Sequence, residues 1–99
     1  MKAYFVATIR DIDIEGTRGT RVVGYYTKLK DAKQCIEENW GDIYEDGYYK
    51  YAVIEDVQPG LYMSCESTPI FYQWDKEERK FKQIDRPNEL KGFFGFTIG

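Results

Sequence analysis

Five carboxylates fall within one short stretch of the sequence. Glu37, Glu38, Asp42, Glu45 and Asp46 lie between Gln34 and Tyr49, and no lysine or arginine interrupts them. The stretch carries −5 while the rest of the chain nets +2, which gives the overall −3. Such a segment suits a solvated acidic face, a docking surface that steers a basic partner and imitates phosphates, or a cation site. The acids do not follow the D-x-D-x-D-G order of a calcium loop, so no metal is expected. Tyr44 and Tyr48 are interleaved with them, and tyrosine is a residue type that anchors interfaces. A protein-docking surface built from Glu37, Glu38, Asp42, Glu45, Asp46, Tyr44 and Tyr48 is the first expectation.

A second constellation has the opposite sign. Arg18 and Arg21 lie in and after a glycine-containing loop, and Thr27, Lys28 and Lys30 stand where a helix begins. A hairpin folded over that helix start would bring these residues onto one phosphate, so a nucleotide, such as a cyclic nucleotide signal held in a sponge, is the alternative ligand. No Walker loop or G-x-G-x-x-G run accompanies them, which argues against nucleotide hydrolysis.

The absences narrow the chemistry further. The chain has no histidine, which removes Ser-His and Cys-His nucleophile pairs and the usual general base near neutral pH. Its two cysteines, Cys35 and Cys65, form no C-x-x-C unit, so neither a structural zinc site nor a thioredoxin-like motif is available. No pairing of carboxylates or tyrosines is legible at a spacing that a reaction demands, so the expectation is a non-enzyme with no cofactor. A pI near 5.0 argues against general binding to duplex DNA. No apolar run approaches the roughly 18–20 residues of a membrane span, and the N-terminus lacks a signal-peptide core, so a cytoplasmic protein is expected.

The elements that must position these residues are readable from periodicity. Leu29, Ala32, Ile36 and Trp40 make an apolar stripe at helical spacing within 26–41, with Thr27 as the expected N-cap and Gly41 as the residue that closes the last turn. Lys28, Lys30 and Lys33 sit toward the positive end of the helix dipole and Glu37 and Glu38 toward the negative end, so packing rather than surface charge must hold this helix. Cys35 flanks the stripe as a small core filler.

Strands surround the helix. The segment 2–12 alternates Ala3, Phe5, Ala7 and Ile9 against Tyr4, Val6, Thr8 and Arg10, which predicts a central strand covered on both sides. A loop over 11–20 leads to a strand at 21–26, in which Gly24 predicts a bulge or a close backbone approach. Further strands are predicted at 48–57, 70–74 and 80–84, with Lys80 and Lys82 protecting a sheet edge. The long connection 61–69, a helical turn at Pro87 and an apolar tail that can add a sixth strand complete the chain.

The order β-β-α-β-β-β predicts a single α+β domain over residues 1–99: a mostly antiparallel sheet of five or six strands with one main helix packed on one face. The combination Val23-Gly24-Tyr25-Tyr26-Thr27, Asn39-Trp40-Gly41-Asp42-Ile43, Tyr51-Ala52-Val53-Ile54-Glu55, Pro59-Gly60-Leu61-Tyr62, Phe71-Tyr72-Gln73-Trp74, Leu90-Lys91-Gly92 and Thr97-Ile98-Gly99 resembles a family of small proteins from phages and prophages of Gram-positive bacteria. None of these motifs is a catalytic or binding signature, so the resemblance assigns no site. What it implies is context: an accessory phage protein that blocks a bacterial host protein, in defence or nucleic-acid processing, by stoichiometric binding in the manner of an anti-CRISPR. A regulatory or structural protein of the phage is a further alternative.

Overall fold

The computed structural model describes residues 3–13, 16–57 and 69–87. Five strands, β1 (Ala3–Asp13), β2 (Gly16–Tyr26), β3 (Tyr51–Val57), β4 (Ile70–Asp75) and β5 (Lys80–Ile84), form one antiparallel sheet in the order β2-β1-β3-β4-β5. One helix, α1 (Leu29–Glu37), follows β2, and a short 3-10 turn at Glu45–Gly47 precedes β3. The fold is α+β. Among the described residues no helix is long and apolar enough to cross a membrane.

β1 is central, and Val6, Ala7, Thr8 and Ile9 are all buried, so both faces of the strand are covered as its two-sided alternation predicts. Val6, Ala52, Ile54, Tyr72 and Phe81 meet Ala32, Cys35 and Ile36 of the helix in one core cluster. Ala7, Ile9, Val53 and Phe71 form a second cluster, to which the helix contributes nothing. Burying each aliphatic side chain is worth roughly 1.5–3 kcal/mol, so two such layers outweigh the unfavourable charge order along α1.

Four boundaries differ from expectation. β1 and β2 continue as a two-stranded ribbon through Asp11↔Arg18 and Asp13↔Gly16, where a loop over 11–20 is expected. β3 pairs with β1 no further than Ile9, yet Ile12 still packs against the core there, while the returning half of the ribbon, Gly16 to Arg21, carries no apolar side chain and so gives no strand pattern. Gly19 has φ +66°, and a Cβ there would lie 2.9 Å from the Cβ of Arg10. Partners Val6↔Gly24 and Ala7↔Val22 leave Val23 as an extra residue, which is the predicted bulge. No atom lies within 4 Å of a Cβ built on Gly24, so the alternative of a close approach there is not what the residue serves.

The helix is shorter than its stripe. Lys28, not Thr27, is the N-cap, and it makes no side-chain capping bond. At the other end Asn39 adopts φ 51°, its N–H donates to the Ile36 carbonyl at 3.1 Å, and the Trp40 N–H donates to the Cys35 carbonyl at 3.0 Å. This is a Schellman closure with asparagine in the place usually taken by glycine. Trp40 therefore leaves the helix and meets Tyr26 edge to face at 6.1 Å. In β3 the ladder begins at Tyr51 rather than Tyr48, although the Lys50 N–H already donates to the Ile9 carbonyl at 3.1 Å. Cys65, the connection 61–68, the turn after Pro87 and the apolar tail lie outside the described residues.

Three hydroxyls, two buried and one half-buried, give testable consequences. The Thr8 hydroxyl, on the helix-facing side of β1, is buried with no hydrogen-bond partner among the described residues. Thr8→Val keeps the shape and removes that desolvated group, so it is expected to raise unfolding free energy in urea by about 1 kcal/mol; a loss of similar size overturns this assignment. Burial, then the Glu37 carboxylate, raises the Tyr72 hydroxyl well above its ordinary value, and a hydrogen bond to Cys35 with burial raises Tyr26 to about 12. Folded-state values above the unfolded value near ~10 give stability that is intact below about pH 10 and is lost as pH rises through the folded values. Tyr72→Phe and Tyr26→Phe should each flatten the alkaline fall in stability, measured by urea unfolding across that window.

Candidate functional site

The acidic stretch folds as the connector between α1 and β3, and its backbone is unusual. Asn39, Asp42, Glu45 and Asp46 have φ of 51°, 53°, 50° and 51°, and Gly41 and Gly47 also have positive φ. Asparagine and aspartate tolerate this region better than most residues because their short side chains bond locally. Asn39 does so twice: its Nδ2 donates to Asp42 Oδ1 at 3.1 Å, and its Oδ1 accepts from the Tyr44 N–H at 3.0 Å. The Asp42 N–H donates to the Asn39 carbonyl at 3.0 Å, and the Glu45 N–H to the Asp42 carbonyl at 3.0 Å. One amide side chain thus organises the start of the connector.

All five acids are exposed at this end of the molecule. Glu37, in the last turn of α1, lies 3.5 Å from the Tyr72 hydroxyl, a contact at the outer limit of a hydrogen bond. Glu38 accepts from Trp40 Nε1 at 3.1 Å and from Gln34 Nε2 at 2.7 Å, and these two bonds, the tryptophan's first, hold its carboxyl below the usual carboxylate range. Glu45 pairs with Arg21 at 2.6 Å; both side chains are about half exposed, so the pair is worth no more than about 1 kcal/mol.

The two tyrosines of the expected surface part company. Tyr48 is 51% exposed, packs edge to face on Tyr49 at 4.8 Å, and lies 5.9 Å from the Arg10 guanidinium. Its hydroxyl raises the Arg10 value through a hydrogen bond, ahead of the contribution from Asp11. Tyr44 is half-buried instead. Its ring stacks on Trp74 at 3.7 Å with 9° between the planes, and it stands edge-on to Phe81 at 6.0 Å. Tyr44 is therefore chiefly the anchor that fastens the connector to the sheet.

That anchor creates a feature with no signal in the sequence. Between the connector and the turn after β4 lies an open cleft of about 730 Å³. Asp42 and Asp46 line one wall, Lys76 and Arg79 the other, and Tyr44 and Trp74 also line it. Among the described residues no ion pair joins the two walls. The contact responsible, Tyr44 with Trp74, joins residues thirty positions apart, and only the aromatic character of both hinted at it.

The basic constellation is divided. Arg21 stands opposite Thr8 in mid-strand and reaches Glu45, at the far end of α1 from Lys28. Five residues of strand, roughly 17 Å at about 3.3 Å per residue, separate it from Tyr26, where the chain turns toward the helix. Arg18 lies further along the ribbon opposite Asp11, while Thr27, Lys28 and Lys30 are exposed at the helix start. The structure brings Arg21 together with an acid of the first constellation rather than with these residues. Among the described residues no group of three or more acidic or cysteine side chains is placed to hold a metal ion.

The connector's dependence on Asn39 can be measured. Asn39→Gly keeps the left-handed backbone and loses the two side-chain bonds, whereas Asn39→Ala loses both features. Alanine should cost about 1 kcal/mol more than glycine in urea unfolding, and equal costs would remove the left-handed closure from the explanation. Compared with known proteins, the chain matches no family model, no curated protein and no solved structure.

Proposed function

We propose that this protein works without catalysis, by stoichiometric binding of a partner protein through the exposed acids of the connector, with Tyr48 at the edge of the surface. The observation that carries this reading is the concentration of Glu37, Glu38, Asp42, Glu45 and Asp46 on one end of the fold, four of them on a connector fixed by Asn39 and by the Tyr44–Trp74 stack. Fixed like charges steer a basic partner and suppress others. The resemblance to phage proteins narrows the partner to a bacterial host protein of defence or nucleic-acid processing, with an anti-CRISPR-like mode of blocking it in the host cytoplasm. A basic groove that normally takes nucleic acid is the complementary surface.

Positive φ at Asp42 and Asp46 makes lysine a poor substitute there, so charge is better removed with asparagine, which tolerates that backbone. A triple variant, Glu37→Lys with Asp42→Asn and Asp46→Asn, should lose capture of its partner from a bacterial lysate followed by mass spectrometry. Association of the wild-type chain with that partner should slow by at least about tenfold as salt screens the charges. Unchanged capture by the variant would sink the docking reading.

A further inference from the structure

The cleft beside the acidic connector has a composition more specific than negative charge. Asp42 and Asp46 stand on one wall and Lys76 and Arg79 on the other, yet no ion pair closes the gap among the described residues. The aromatic surface between them is held in place: Trp74 stacks on Tyr44 at 3.7 Å and meets Phe81 edge-on at 5.1 Å. Tyr44 and Trp74 are both half-buried and so keep part of their surface for the cleft.

From this arrangement we infer that the cleft is the anchor pocket for an arginine of the partner, flanked by an acidic residue. The inference rests on the docking reading and names its central contact. A guanidinium is planar, stacks on aromatic rings, and presents a fork of donors that matches carboxylates, whereas an ammonium does none of the stacking and is more strongly hydrated. Asp42 and Asp46 supply the carboxylates, and Lys76 and Arg79 take the neighbouring acid. At about 730 Å³ the cleft exceeds what one guanidinium fills, which leaves room for that second residue. A nucleotide suits it less well, because phosphates attracted by Lys76 and Arg79 are repelled by Asp42 and Asp46. Arginine buried in a pocket is among the contacts that most often dominate an interface.

Tryptophan emission reads the cleft directly. The chain has two tryptophans, so a Trp40→Phe variant reports from Trp74 alone. Titration with the acetylated, amidated dipeptide Arg-Glu should give a saturable change, with the citrulline and lysine counterparts at least about fivefold weaker. Asp42→Asn with Asp46→Asn, which suits the backbone at both positions, should abolish the response. No saturable change with Arg-Glu, equal affinity for the citrulline peptide, or saturation by adenosine monophosphate in place of the peptide overturns the anchor. Lysate capture that depends on the acids while the peptides do nothing removes the anchor and leaves docking. Peptide binding with capture indifferent to the acids removes docking and leaves the pocket.

Discussion

The stacking of Tyr44 on Trp74 is the contact on which the acidic end of the molecule depends. Between α1 and β3 the chain runs through a connector rich in carboxylates and in left-handed backbone, neither of which favours a fixed conformation. The ring pair, parallel to within 9° and backed by Phe81, ties that connector to β4 and β5. It also brings the connector against the turn after β4, and the cleft exists because of it. An aromatic pair of this kind adds about 0.5–1.5 kcal/mol beyond the area it buries. That offsets about one of the connector's four left-handed non-glycine residues, at roughly 1–2 kcal/mol each, so the Asn39 bonds must contribute as well.

What the sequence made legible follows from periodicity. The helix, the two-sided central strand, the lysine-bearing edge at β5 and the burial of Cys35 all rest on patterns repeated over several residues. What it hid depends on single contacts or on missing ones. Trp40 fits the next position of the helical stripe, so nothing local says that Asn39 will end the helix one turn early. The ribbon beyond Ile9 resembles a loop because its returning half, Gly16 to Arg21, holds two glycines and polar residues only, although Asp11, Ile12 and Asp13 alternate on the outgoing half. Tyr44 looks like any interleaved interface tyrosine until Trp74 is found beneath it. The acids themselves were plain, but that Arg21 would come to lie against Glu45 required the topology.

The two cores divide labour. The layer beneath α1 holds the helix, while the opposite layer, centred on Ala7, Ile9, Val53 and Phe71, makes the middle of the sheet dry on both sides. Glu55 is buried in β3, opposite Phe5 of the neighbouring strand. A carboxylate so placed must be compensated by neighbours, which makes that region sensitive to any change that disturbs them. The acidic connector is mounted, through Tyr44, on the layer that also holds the helix.

The sheet margins carry a last consequence. β5 is short and shows Lys80 and Lys82 to solvent, with Lys82 clasped by Glu78 and Asp75 across the turn. β2 is long and exposes Val22 and Tyr25, but the extra residue at Val23 breaks its register, and Arg18 and Arg21 add charge. Among the described residues each margin is thereby poorly suited to receive another chain's strand. Such blunting disfavours lateral growth of the sheet from one copy of the chain to the next.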